Sequence, residues 1–209
     1  MTQPETSSGP LLLPLAQAGV RIRLWRQEDL APYRFWLGPN QDWHRWDAPY
    51  LPDLEQHQID AAVTRVARAV QDHDGWDWPL TGSGVRKDLP VTRAVIADSD
   101  SDQLIGTVSW YLESDFAQWG RTGIQIFDPS LRGKGRGQAA LRLWTDYLFG
   151  ATTWPHVDYT TWSGNQAMLA LGRKLGFTEV ARYANARVVG ARFYDAVVMG
   201  VARSTWELH

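Results

Sequence analysis

The stretch Ile124-Gln125-Ile126-Phe127-Asp128-Pro129-Ser130-Leu131-Arg132-Gly133-Lys134-Gly135-Arg136-Gly137-Gln138 constrains this chain more than any other. A β-type run stops at Asp128-Pro129, glycines follow at 133, 135 and 137, and Ala140, Leu143, Trp144, Tyr147 and Leu148 then recur at helical spacing. Glycine lacks Cβ, so its backbone can approach a ligand closely. The free N–H groups that open a helix, aided by its dipole, form a socket for phosphate. Arg132, Lys134 and Arg136 add local positive charge, and a diphosphate-bearing ligand is the physical expectation. Two known phosphate loops fail on spacing. A dinucleotide fingerprint needs glycine where Gln138 stands, and Walker A needs glycine at Asp128 and Ser or Thr at Gly135. Standing alone, the turn is equally compatible with an ordinary strand-to-helix connection carrying solvated charges.

The 209 residues around it, 44% hydrophobic, suffice for one substantial core and are read as one domain. Val20 to Arg26 alternates Val20, Ile22 and Leu24 against arginines, as a strand with one buried face does. Gln27 opens a helical stretch that Gly38-Pro39 stops, and Asn40 to Pro52 reads as a structured loop. Ile59, Val63, Val66 and Val70 mark a second helix, and Asp74 to Pro90 reads as a long, mobile surface connection. Val91–Asp98 and Leu104–Glu113 form a hairpin, and Arg121–Phe127 is a fourth strand. His156–Thr161 follows as a fifth strand, then a helix over Asn165–Leu175 and two closing strands, Glu179–Ala186 and Arg192–Arg203. The predicted class is α/β (α+β): a mixed, mostly antiparallel sheet of about seven strands flanked by about four helices. Its domain spans 20–206, and 1–19 is expected to be a flexible leader that ends by packing on it.

Composition removes several chemistries. With no cysteine, disulfides, thiolate metal sites and a cysteine nucleophile are excluded. The five histidines lack metal-ligand spacing, so no metal is expected. A formal net charge of −2 offers no global field for nucleic acid or an anionic membrane, and neither is an expected partner. No apolar run is long enough for a membrane helix, so a cytoplasmic protein is expected.

Arg132-x-x-Gly135-x-Gly137, placed after the fourth strand, resembles the Arg/Gln-x-x-Gly-x-Gly/Ala signature of the GNAT superfamily of acetyltransferases. Thr161-Trp162-Ser163-Gly164-Asn165 with Met168, Lys174-Leu175-Gly176-Phe177, Ala181-Arg182 and Tyr194-Asp195 is similar to the later strands and helix of the RimJ/RimL-like branch. The resemblance covers roughly Val20 to Trp206 and is clearest from Leu104 onward. It implies the GNAT fold and an N-acetyltransferase, monomer or homodimer, that moves the acetyl group of acetyl-CoA to a primary amine. The acceptor would be a protein N-terminus or a small-molecule amine. In such enzymes the diphosphate lies on the amides of the turn, here Arg132, Gly133, Lys134, Gly135, Arg136 and Gly137. The pantetheine arm would run along Gln125, Ile126 and Phe127, where the fourth strand splays from the fifth. Asn165 would bond a pantetheine amide; a helix N-cap is the competing reading.

Aminolysis of a thioester needs a proton acceptor, an oxyanion donor and a proton for the thiolate. Without cysteine an acetyl-enzyme on sulfur is impossible, and direct attack in a ternary complex is favoured. Candidate bases are Glu113 and Asp115, near the end of the third strand, and His156. A solvated charge beside a turn is the competing reading for the carboxylates. Two positions depart from the family. The usual tyrosine acid is replaced by Gly172 and the RimL-type serine by Met168, leaving Tyr183, Tyr194 or water to protonate the thiolate. A non-catalytic CoA-binding module therefore stays open as an alternative. Six of the 12 tryptophans fall within the first 78 residues. Trp43, His44, Trp46 and Asp47 are candidates for a pocket that takes a flat or cationic amine, against the competing reading that the rings fill the core.

Overall fold

The computed structural model describes residues 13–72, 90–114, 116 and 118–206. The connection expected over 74–90, apart from Pro90, and the candidate base Asp115 lie outside the described residues. The strands are β1 (Leu15–Gln17), β2 (Val20–Arg23), β3 (Arg93–Asp98), β4 (Leu104–Ser114), β5 (Trp119–Ile126), β6 (His156–Trp162), β7 (Thr178–Val189) and β8 (Arg192–Ala202). The helices are α1 (Leu30–Leu37), α2 (His44–Asp47), α3 (Gln56–Asp72), α4 (Arg136–Ala151), α5 (Gln166–Lys174) and α6 (Arg203–Trp206). All strands join one mixed sheet in the order β1-β2-β3-β4-β5-β6-β8-β7, and β5–β6 is its parallel pair.

The mixed α/β architecture is the expected one, with eight strands and six helices among the described residues in place of about seven and four. The additional strand, β1, folds back on β2 through Ala18 and Gly19, so the sheet begins inside the stretch read as a leader. The additional helices, α2 and α6, are four residues each, too short to show a period of 3.6 in sequence.

Both faces of the sheet are covered, which explains why β3 reads as a continuous apolar run. On one face Ile96, Val108, Val157 and Met199 pack with Trp144, Tyr147 and Leu148 of α4. On the other, Val95, Ala97 and Phe127 pack with Tyr33 and Leu37 of α1 and Ile59, Val63 and Val66 of α3. Each such side chain, fully buried, contributes about 1.5–3 kcal/mol.

The α5 helix is seated by an unusually close contact. Tyr159 of β6 passes beneath it and donates its hydroxyl to Met168 O at 3.0 Å. A Cβ placed on Gly172 would lie 1.9 Å from that hydroxyl oxygen. Gly172→Ala is therefore expected to destabilise the fold by about 1–3 kcal/mol through overpacking, measured by urea unfolding. Adding Tyr159→Phe, which removes the atom in closest contact, is expected to recover part of that loss.

Candidate active site

Parallel pairing between β5 and β6 covers two register pairs, Gly120 with Val157 and Arg121 with Asp158. Beyond them both strands continue, to Ile126 and Trp162, and part into a wedge. A charged network closes the paired end. Arg121 Nε donates to Asp158 Oδ1 at 2.7 Å, and Trp119 Nε1 donates to Asp158 Oδ2 at 2.7 Å. Arg121 Nη1 also pairs with Glu113 Oε1 at 3.0 Å. Asp158 is 1% exposed. Burial disfavours the Arg121 charge, but the hydrogen bond and charge of Asp158 outweigh it and hold its pKa above the usual arginine range. Glu113 is thereby engaged by a guanidinium, and His156 stands at the start of β6 with its ring 5.8 Å from Trp119. Both flank the closed end of the wedge.

The wedge exposes backbone. Phe127 N–H donates to Ile105 O at 2.9 Å, and bonded positions in an antiparallel ladder recur at every second residue. Gln125 and the Phe127 N–H thus face β4, whereas Ile124 and Ile126 face β6; the carbonyls of Ile126 and Phe127 accept from Arg132 at 3.4 Å and 3.2 Å. Of the strand residues expected along the pantetheine arm, Ile126 therefore faces the wedge, and Gln125 and the Phe127 N–H face β4. Phe127 is moreover fully buried, with its ring packed among Tyr33, Trp36 and Trp43.

At the open end lies the glycine turn. Gly133 and Gly135 adopt φ of +72° and +79°, the left-handed region, and a Cβ on either would meet nothing within 4 Å. Gly135 caps α4 without a side-chain bond, so the first N–H groups of a 16-residue helix stay open to an anion. Gly137 serves packing instead, since a Cβ there would come 3.3 Å from Leu171 Cδ1 of α5. The basic charge is smaller than the sequence suggests. Arg136 is ion-paired with Asp98, and Arg132 Nη1 bonds Asp42 Oδ2 at 2.5 Å. Lys134 is exposed and, among the described residues, makes no ion pair. A cavity of about 810 Å³ lies on the other side of Asp128 and Leu131, but its arginines Arg23 and Arg26 are paired with Asp29 and Asp102.

The short helix α2 bridges the wedge. Trp46 O accepts from Trp162 Nε1 at 3.0 Å and from Asn165 Nδ2 at 2.7 Å. Asp47 Oδ2 accepts from Gln125 Nε2 at 2.8 Å. Asn165 Oδ1 also caps α5 by accepting from Met168 N at 3.0 Å. Each end of the Asn165 amide thus makes one bond within the protein, and the oxygen has the capping role. Of the four acceptor-pocket candidates, Trp43 belongs to the core, 7% exposed and donating to Trp36 O at 2.7 Å. The His44 ring stacks on it, with centroids 3.9 Å apart, and its Nε2 is buried without a hydrogen bond among the described residues. Trp46 and Asp47 remain open to solvent, Trp46 at 47%. Solvent reaches the Asp47 carboxylate although protein atoms crowd it on other sides. That partial desolvation pushes its pKa up, against the Gln125 hydrogen bond and the His44 and Arg93 charges.

The match to a family model, the GNAT acetyltransferase domain, runs over residues 20–178. The chain belongs to the GNAT acetyltransferase family. No curated protein sequence matches it. Among solved structures it is similar to ribosomal-protein-S5-alanine acetyltransferase from Vibrio fischeri, with a TM-score of 0.69 and 17% identity over 93% of this chain and 98% of that one. It is also similar to spermidine N-acetyltransferase from Vibrio cholerae, solved in complex with CoA and spermine, with a TM-score of 0.69 and 17% identity over 91% and 99%. A GNAT-family acetyltransferase from Bacillus anthracis gives a TM-score of 0.68 at 12% identity over 92% and 99%.

The sequence reading missed the Arg121–Asp158 pair and the pinning of Trp46 O, because a charged residue in a strand and a backbone carbonyl carry no signal of their distant partners. It also missed Asp98, which accepts from Ser101 N at 3.0 Å and Asp100 N at 3.1 Å in the β3–β4 turn while pairing with Arg136. The Ser101 amide, then Arg136, lower its pKa to about 2. A carboxyl depressed in the folded state contributes stability above its unfolded pKa and loses it as pH falls through the folded one. Asp98→Asn is accordingly expected to lower stability near neutrality and to flatten its decline between about pH 4 and pH 2, followed by chemical unfolding across that range.

Proposed function

We propose that this chain is an acetyl-CoA-dependent N-acetyltransferase acting on a primary amine by direct attack, within the RimJ/RimL-like part of its family. The observation that carries the reading is the β5–β6 wedge opening onto the glycine turn. The peptide group of Ile124 and the N–H of Ile126, which strand alternation directs away from β4, suit an extended amide-bearing arm that would lie against β5 as an added strand does, while Ile126 O is held by Arg132. The open start of α4, with Lys134, suits its diphosphate. A wedge N–H on β5, such as that of Ile124, is placed to stabilise the oxyanion that forms when the thioester carbonyl is attacked.

Without cysteine, the amine itself must displace the thiolate. Gly172 and Met168 supply no proton, and the Tyr159 hydroxyl occupies the space a larger residue at 172 would need. Of the remaining tyrosines, Tyr183 is 61% exposed on β7, while Tyr194 packs edge-on against Trp162 at the rim of the wedge, centroids 4.9 Å apart. Tyr194 or water is left to protonate the departing sulfur. The acceptors named for the structural neighbours, a ribosomal-protein alanine and spermidine, favour a protein N-terminus or a cationic small amine.

Acetyl-CoA affinity is measured by calorimetry, and thiol release is followed with peptides bearing free N-termini, polyamines and amino acids. Turnover on at least one of these amines is expected. Tight CoA binding with no turnover on any would overturn the catalytic reading in favour of a CoA-binding module, and preference for ATP or NAD would remove both. Gly135→Val, placing a branched side chain at φ +79°, is expected to weaken acetyl-CoA binding more than about tenfold, about 1.4 kcal/mol, with circular dichroism unchanged. Wild-type affinity in that folded variant would take the turn out of the phosphate site.

A further inference from the structure

We infer that Asp47 is the group that takes the proton from the attacking amine, an inference that rests on the acetyl-transfer reading above. The first support is how α2 is held. Counting on from the register pair Arg121 with Asp158, Gln125 and Trp162 would face each other on the same side of the sheet, had pairing continued. Those are the side chains that hold α2: Gln125 Nε2 bonds the Asp47 carboxylate, and Trp162 Nε1 bonds the Trp46 carbonyl. Consecutive residues of one helical turn are thus anchored to opposite lips of the wedge, at a level where the strands have parted.

The second support is how the carboxylate is presented. Thr107 Oγ1 donates to Gln125 Oε1 at 3.1 Å, which fixes the amide so that its NH₂ end faces Asp47. Asp47 spends Oδ2 on that bond, while Oδ1 makes no hydrogen bond among the described residues and solvent reaches the side chain. An acceptor amine can therefore reach a carboxylate oxygen whose partner oxygen is held by the β5 strand. Glu113, in contrast, is engaged by Arg121 at the closed end. The charged groups that act on Asp47 are His44, on the same turn, and Arg93 of β3. Crowding by protein atoms opposes them and makes the carboxylate a better proton acceptor than a fully hydrated one.

The step balances as follows. A neutral amine attacks the thioester carbonyl carbon, a C–N bond forms and the carbonyl π pair moves to oxygen. The nitrogen, now positively charged and far more acidic than a free ammonium, passes one proton to Asp47 Oδ1. The oxyanion re-forms the carbonyl, the C–S bond breaks, and the thiolate takes up the proton, relayed from Asp47 through Tyr194 or water. The products are the amide and free CoA thiol, with Asp47 again ionised.

The test compares wild type with Asp47→Asn on the best acceptor from the amine panel. General-base removal is expected to lower kcat by at least about 100-fold, to abolish the acidic limb of the kcat/KM profile, and to leave acetyl-CoA affinity by calorimetry within about twofold. A raised acceptor KM with kcat and the acidic limb retained would overturn the inference and make Asp47 an anchor for a cationic amine. So would loss of that limb in Glu113→Gln but not in Asp47→Asn. A carboxyl ¹³C NMR titration of Asp-labelled protein, with Asp47→Asn identifying the resonance, reads the group without turnover. Titration above the ordinary aspartate range is expected, and titration at or below it would overturn the role. Failure of wild type on every amine would instead remove the acetyl-transfer reading, and this inference with it.

Discussion

The architecture of the site depends on the buried ion pair between Arg121 and Asp158. It lies at the second of two parallel register pairs, and from there the strands separate. A carboxylate that is 1% exposed is tolerable only because the guanidinium and the Trp119 indole satisfy it. Removing one partner of such a pair typically costs about 3–5 kcal/mol, since the other charge is left buried. The pair locks the strands together at one end, so their backbones part without pairing to each other at the other.

Around that wedge the 42–47 segment, the glycine turn and the β6–α5 corner are mechanically joined. The segment from Asp42 to Asp47 touches the glycine turn through Arg132, β5 through Gln125, and the β6–α5 corner through Trp162 and Asn165. A helix of four residues has little stability of its own, and its position is set by these tertiary bonds. Asn165 shows the economy of the arrangement: one amide caps α5 and fixes α2 through Trp46 O.

The glycine turn, the helix after it and the alternation of the central strands were legible because their causes are local. Positive φ at Gly133 and Gly135 and the apolar stripe of α4 need no distant partner to be recognised. The helices α2 and α6 were not legible, since a single turn shows no periodicity. β1 was hidden because its residues form a strand only against β2. The orientation of Phe127 was hidden too: strand alternation decides which peptide groups face the wedge, and the sequence does not state which edge of β5 is already bonded to β4.

Residue types and spacing alone therefore determined the family, the glycine turn that opens a helix and the absence of cysteine chemistry, each a property of consecutive residues or of composition. Tertiary structure decided which groups are available. It neutralised Arg132 and Arg136 with Asp42 and Asp98, tied Glu113 to Arg121, turned Asn165 inward, and filled the space beside Gly172 with the Tyr159 hydroxyl. It left Lys134 accessible on the glycine turn and Asp47 accessible on the helix that bridges the wedge. The physical reason is that a charge or hydrogen-bonding group acts on a substrate only when no protein partner has claimed it, and those partners lie tens of residues away along the chain.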